Sequence, residues 1–190
     1  MGEHEVKSPA VFLDRDGVLN RPLIRDGLPF PPVTAEQLEI YPDVPEGSAR
    51  LKQAGFILIV VTNQPDVGRG TQSREILDGM HAKLRMAVPA LDAIEVCYHA
   101  GASHGESCDC RKPRPGMLLR AAAEHGIDLK RSFLIGDRWR DVDCAHAVGC
   151  RAVFIDRGYR EPLRDKPEFT VATFRDAVAT ILQNHERPSR

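Results

Sequence analysis

The chain has 190 residues, enough to bury a sizeable core, and reads most simply as one domain, 1–190, with its core over about 10–184. Its 26 basic and 27 acidic residues leave a net charge of −1, which argues against a nucleic-acid binder that works by neutralising phosphates. No apolar run approaches a membrane span and no start resembles a signal peptide, so the cytoplasm is the expected compartment.

The first element is the run Ala10 to Leu13, short, apolar and partly β-branched or aromatic, as suits a buried parallel strand. It delivers Asp14 and Asp16 onto a glycine turn at Gly17. Two acids so close repel unless a cation neutralises them or one keeps its proton. Magnesium prefers hard oxygen ligands and binds few carboxylates together with substrate phosphate. An Asp-Gly pair also fits a plain surface turn. Arg15, between the acids, is expected to point to the opposite side of the strand by pleat alternation, without a catalytic role.

Pro22 to Pro45 is the longest irregular segment, and could be a stiff, substrate-facing loop joining two parts of one domain. Phe56 to Val61 is a continuous apolar strand that exits through Thr62, Asn63 and Gln64. The Thr62 hydroxyl could hold a phosphoryl oxygen, or merely end the strand. A helix over Ser73 to Ala87 places Ile76, Leu77, Met80 and Leu84 on one face, a spacing for core packing.

Cys97 and His99, then Cys108 and Cys110, supply three thiols and one imidazole, a structural zinc set closed at four ligands within a loop over 97–110. The one-residue spacers require a sharply folded loop. His104 rivals His99, and a Cys108–Cys110 disulfide or unliganded thiols are other readings, though a reducing compartment disfavours the disulfide. Zinc can contribute about 10 kcal/mol or more in small sites, enough to fix such a loop. Cys144 and Cys150 lie outside this set and read as packing residues.

Arg111 and Lys112 follow at once, before a helix opened by Pro115, and could offset charge on a transferring phosphoryl group or sit in a solvated basic loop. Phe133 to Ile135 is a further apolar strand, ending in Gly136-Asp137. Asp137 could complete a magnesium site begun by Asp14. Asp141, four residues on, shares a helix face with Asp137, or serves the helix dipole instead. Helices stop at Gly55, Gly126 and Gly149. The strands near Val11, Phe56, Ile94, Phe133 and Ala152 should then form an α/β fold, a Rossmann-like parallel sheet with helices on both faces. A last helix over Phe174 to Leu182 is expected to dock before a polar tail.

Acid pair, hydroxyl, lysine and acid arrive in the order and spacing of the haloacid dehalogenase-like phosphatases, and the chain resembles that superfamily from Val11 to Ile155. The resemblance implies Asp14 as nucleophile, Asp16 as general acid and base, and Thr62 and Lys112 as holders of the phosphoryl oxygens. It implies magnesium on Asp14, Asp137 and the backbone carbonyl of Asp16. The loop Cys97-x-His99 to Cys108-x-Cys110-Arg111-Lys112-Pro113 is similar to that of the heptose 1,7-bisphosphate and histidinol-phosphate phosphatases. Removal of a heptose 7-phosphate is therefore the expected reaction. Histidinol phosphate or another small phosphometabolite is the alternative, and an inactive zinc-stabilised binding module is one of a different class.

The same likeness points to Asn63, Gln64 and Arg111 at the substrate site. Arg69 joins them because guanidinium suits phosphate and sugar hydroxyls; an exposed solubilising arginine is the other reading for each, and the preferred one for Arg25. The segments 20–45 and 65–73 leave room only for a minimal cap. Arg21 to Pro32 replaces the short Asp- and Tyr-containing loop usual in the heptose enzymes, and Pro65-Asp66 replaces a small-residue pair. A small phosphorylated metabolite, a sugar bisphosphate above all, is the expected partner of a monomer, with neither nucleic acid nor membrane.

Overall fold

The computed structural model describes residues 7–185. In chain order the strands are β1 (Ala10–Leu13), β2 (Leu23–Arg25), β3 (Leu28–Phe30), β4 (Ile57–Asn63), β5 (Ala93–Cys97), β6 (Phe133–Gly136), β7 (Arg151–Ile155) and β8 (Phe169–Val171). The helices are α1 (Val44–Gln53), α2 (Pro65–Gly68), α3 (Arg74–Ala87), α4 (Gly116–His125), α5 (Trp139–His146) and α6 (Phe174–Asn184). Single 3-10 turns at Ala102–His104 and Leu129–Arg131 complete the elements.

Six strands form one sheet in the order β5-β4-β1-β6-β7-β8, and every neighbouring pair is parallel. Both faces are covered, which is why its central strands read as unbroken apolar runs. Side chains alternate between the faces. Val11, Leu13, Leu58 and Val60 pack with Leu51 of α1, Met80 of α3 and Phe174 of α6. Phe12, Ile59, Val61 and Leu134 pack on the other side with Met117 of α4 and Val142 of α5. From β1 the chain builds outward through β4 and β5, then returns beyond β1 through β6, β7 and β8. Ligands gather where the order reverses, at the carboxyl ends of β1 and β6.

The sheet is parallel as expected, with β8 as a sixth strand that its three residues did not reveal. The proline-rich segment is partly structured. β2 and β3 pair as an antiparallel hairpin through Asp26 and Gly27, both at positive φ, the backbone that a two-residue hairpin turn requires. On α3 the buried face is Leu77, Met80, His81 and Leu84, whereas Ile76 is exposed. Leu77, Met80 and Leu84 are buried as the spacing implies, and His81 rather than Ile76 completes the face. The polar tail beyond α6 lies mostly outside the described residues. Among those residues no helix is long and apolar enough to cross a membrane.

Helices α1 and α6 pack closely on one face, where a Cβ on Gly47 would stand 2.8 Å from the Phe174 ring. Phe174 is fully buried in that contact. Its replacement in Phe174→Ala is expected to cost about 3–5 kcal/mol in urea unfolding, because the rigid sheet behind it cannot collapse into the space.

Candidate active site

Asp14 is the first residue after β1, and its backbone N–H still donates to the Ile135 carbonyl, 3.0 Å away. The chain then turns sharply. The Arg15 carbonyl accepts from the N–H groups of Leu19 and Asn20 at 2.8 and 3.1 Å. Gly17 has φ +89°, and a Cβ there would lie 1.6 Å from an Asp137 oxygen. Only glycine admits Asp137 so close to the turn.

Asp137 follows β6, and Asp141 sits in the first turn of α5, where its Oδ2 accepts from the Arg138 N–H at 3.1 Å. Carboxylate oxygens of Asp14, Asp137 and Asp141 lie within 4.8 Å of one another. Against them stands Lys112, whose Nζ is 2.9 Å from Asp14 Oδ1 and 2.7 Å from Asp141 Oδ1. Asp141 thus serves its helix and faces the site at once. Burial alone would lower the Lys112 pKa, but Asp14 and Asp141 outweigh it and hold the ammonium firmly charged. Burial pushes Asp14 up to about 6 despite Lys112, and Asp141 adds to the rise. Asp137 is pushed well above its ordinary value by burial, then by Asp14 and Asp141.

Three carboxylates and one ammonium leave an excess of negative charge, and both Asp137 oxygens are buried and make no well-formed hydrogen bond, with the Tyr159 hydroxyl as the donor beside them. Hard oxygen donors, orphaned and crowded, fit magnesium. Asp14 and Asp137 would hold it beside Lys112.

Thr62 and Asn63 are the last two residues of β4. Thr62 Oγ1 accepts from Gln64 Nε2 at 2.9 Å, leaving the hydroxyl hydrogen available. Gln64 is buried, and its Nε2 also donates to Asp16 Oδ2 at 3.0 Å, so its amide works inside the protein. Asn63 clamps the backbone of Lys112 with two hydrogen bonds, of 3.0 and 3.1 Å. Arg15 differs from expectation. Strand alternation stops at Leu13, so the side chain doubles back, fully buried, and pairs with both Asp16 oxygens.

A cavity of about 430 Å³ opens above these groups. Arg69, Arg111, Arg138 and Arg140 line it, and Leu28 to Pro31 of the hairpin form its apolar wall. Arg111 and Arg69 donate to the carbonyls of His99 and Ala100 at 3.4 and 3.3 Å, which ties them to the zinc loop. Burial lowers the Arg111 pKa, and the nearby Arg140 and Arg69 cations lower it further. Glu161, after β7, holds the other two. It pairs with Arg138 at 2.7 Å and Arg140 at 3.4 Å, and accepts from Trp139 Nε1 at 3.0 Å. Arg138, Arg140 and Glu161 were missed in the sequence. The arginines lie between Asp137 and Asp141, inside a recognisable acid motif, but Glu161 carries no local signal. Arg25 lies outside the cavity, with its guanidinium 5.4 Å from the Phe30 ring centre.

Cys97, His99, Cys108 and Cys110 converge, with one donor atom from each within 4.8 Å of the others. Tetrahedral zinc bonds imply edges of about 3.8 Å between sulfurs and about 3.5 Å from sulfur to nitrogen. The Cys97–Cys108 sulfur separation is 3.8 Å, and Cys97 Sγ lies 3.5 Å from His99 Nδ1. These four side chains can hold zinc. His104 is elsewhere, bonded to Ser103 Oγ, and all five cysteines are free thiols. Glu106 accepts from the Ala100 N–H and so pins the loop, with its other oxygen 4.0 Å from His99 Nε2.

Cys108→Ser is expected to lower zinc content and melting temperature together, read by metal analysis and calorimetry; full zinc occupancy in that variant would break the ligand set. Gly17→Ala is expected to push Asp137 aside and weaken magnesium binding by 10-fold or more, roughly the loss seen when support around a ligand is removed. Calorimetric titration of magnesium measures it.

The sequence matches the HAD-hydrolase-like family model over residues 109–177. It is 39% identical over 178 residues to a D-glycero-beta-D-manno-heptose-1,7-bisphosphate 7-phosphatase of Pseudomonas aeruginosa, covering 90% of this chain and 96% of that one. The corresponding enzyme of Vibrio cholerae is 33% identical over 184 residues, covering 91% and 94%. Among solved structures, D,D-heptose 1,7-bisphosphate phosphatase from B. bronchiseptica, complexed with magnesium and phosphate, superposes with a TM-score of 0.77 at 27% identity, over 92% of this chain and 98% of that chain. Motifs, fold and relatives agree: the chain belongs to the haloacid dehalogenase-like phosphatases, in the family of the D-glycero-D-manno-heptose 1,7-bisphosphate 7-phosphatases.

Proposed function

We propose that this chain, acting as a single domain, removes the 7-phosphate of D-glycero-D-manno-heptose 1,7-bisphosphate through a phosphoryl group carried on Asp14. One observation carries the reading: a cavity with Asp14 and Lys112 at its floor and four guanidiniums along its wall. The floor suits one phosphate and the wall a second anionic group on the same small molecule. The names of the relatives supply the sugar.

An Asp14 oxygen attacks phosphorus, and the bond from phosphorus to the sugar oxygen breaks. The leaving oxygen takes its electron pair and a proton from Asp16. Water then yields a proton to Asp16 and attacks the same phosphorus, breaking its bond to Asp14, so that phosphate leaves, Asp14 is again a carboxylate and Asp16 is again the protonated acid. Lys112 offsets charge on the phosphoryl oxygens and Thr62 donates its hydroxyl hydrogen to one of them. Bound magnesium would neutralise the repulsion between anionic Asp14 and an anionic substrate. Asn63 acts through Lys112, and Gln64 through Thr62 and Asp16. Arg69 and Arg111 meet the substrate directly.

Zinc would place the loop leading into Arg111 and Lys112 and activate no water, since all four positions are taken by protein. Five cysteines outside any disulfide suit a reducing cytoplasm. The near-zero net charge argues against a nucleic-acid partner, and a monomer that engages no membrane completes the reading.

Asp14→Asn should abolish phosphate release by roughly 10⁴-fold or more while leaving the melting temperature near that of the parent protein. The substrate is tested by magnesium-dependent phosphate release from both anomers of the heptose bisphosphate, beside histidinol phosphate and an aryl phosphate. Preference for a heptose anomer supports the reading. Preference for histidinol phosphate would replace the substrate, and would make the hairpin that stands after Asn20 the feature responsible.

A further inference from the structure

Arg15 carries a charge into the protein interior, with its side chain 0% exposed. A buried guanidinium is tolerable only where its donors are met. Two of its nitrogens face Asp16. Nε reaches Oδ1 at 3.2 Å, and Nη2 reaches Oδ1 and Oδ2 at 3.0 and 2.9 Å. The third, Nη1, lies 3.3 Å from Nε2 of His81, on the buried face of α3. The arginine is therefore held between the helix and the acid, and its own backbone is pinned by the turn that follows.

The imidazole must accept. An arginine has donors only, so Nε2 takes the hydrogen bond and the proton of the neutral ring is on Nδ1. Burial, followed by the Arg15 charge, pushes the His81 pKa down to about 4, which keeps the ring neutral at neutral pH. A leucine there would leave Nη1 without the partner that His81 supplies. The histidine at this core position is thus accounted for by the arginine it meets.

Resting on the proton-transfer role given to Asp16 above, we propose that His81 and Arg15 are positioning residues that lock the Asp16 carboxylate toward the leaving oxygen. Asp16 has to give a proton and take one back from the same place. An aspartate on a turn has free rotation about its side-chain bonds, and each misplacement lowers the chance of transfer. The fork of Arg15 fixes the plane of the carboxylate, and Asn20 Nδ2 and Gln64 Nε2 each add a bond of 3.0 Å. His81 in turn fixes the fork. The lock reaches from the core of α3 to the reacting proton without touching substrate.

The test compares leaving groups in single-turnover phosphorylation of Asp14. A sugar or alkyl phosphate needs the proton from Asp16, whereas 4-nitrophenyl phosphate expels a stable anion without it. His81→Phe should slow the alkyl substrate by about 10-fold or more, part of what general acid catalysis supplies, with KM little changed. The 4-nitrophenyl substrate should change by less than about 3-fold, the same selective pattern that Asp16→Asn must show. His81→Gln, which offers an amide oxygen to Nη1, should recover most of the loss. Equal losses on both substrates, or none in a folded His81→Phe, would overturn the positioning role. Should His81→Phe not fold, Arg15→Lys, which keeps the charge and loses the fork, carries the same comparison with the same two outcomes. Parent protein inactive on every phosphomonoester would instead remove the phosphatase reading, and this inference with it.

Discussion

Three carboxylates converge at the carboxyl ends of β1 and β6, and a single ammonium stands against them. Like charges at that spacing are unfavourable in a buried site, and the rest of the molecule is arranged around their imbalance. The strand order reverses there, so Asp14 and Asp137 arrive from adjacent strands without a loop between them. Gly17 and Gly136 surrender their side chains so that Asp137 and Asp141 can approach. The result is an oxygen-lined position whose charge invites a divalent cation and then an anionic substrate.

Lys112 decides whether that position is productive, and it lies on no regular element. Two devices place it. Asn63, at the end of β4, grips its backbone on both sides with a donor and an acceptor. Upstream, the cysteines and histidine gather the loop, and the last of them stands two residues before the lysine. A long flexible side chain in an unsupported loop would lose entropy on every encounter with substrate. Here that cost is met on folding.

The cavity has two chemical characters. Guanidiniums of Arg69, Arg111, Arg138 and Arg140 meet an apolar wall from the β2–β3 hairpin. Glu161 braces two of the arginines, and the zinc loop carbonyls brace the other two. Burial depresses the Arg111 pKa, and repulsion from Arg140 and Arg69 depresses it further. An anion entering the cavity relieves that repulsion, which is how a rim of this kind favours a doubly charged metabolite over a neutral one.

The sequence by itself determined five of the six strands of the sheet, the acids and the thiols. An unbroken apolar run ending in a polar residue can be read without knowing its neighbours, because a parallel strand is buried on both faces. The spacing of Cys97, His99, Cys108 and Cys110 is legible for a similar reason, since a metal leaves a short-range pattern. Tertiary structure decided the rest. Pleat alternation placed Arg15 away from the chemistry, but the strand ends at Leu13 and the turn sends its side chain back to Asp16. The spacing of Leu77, Met80 and Leu84 leaves a core slot at position 81, yet a histidine there has meaning only once Arg15 is seen opposite, 66 residues away in the chain. Glu161 joins Arg138 across 23 residues, and nothing local marks it. Periodicity records which face of an element is buried. Which buried polar groups meet depends on contacts between elements distant in sequence, and those the fold alone supplies.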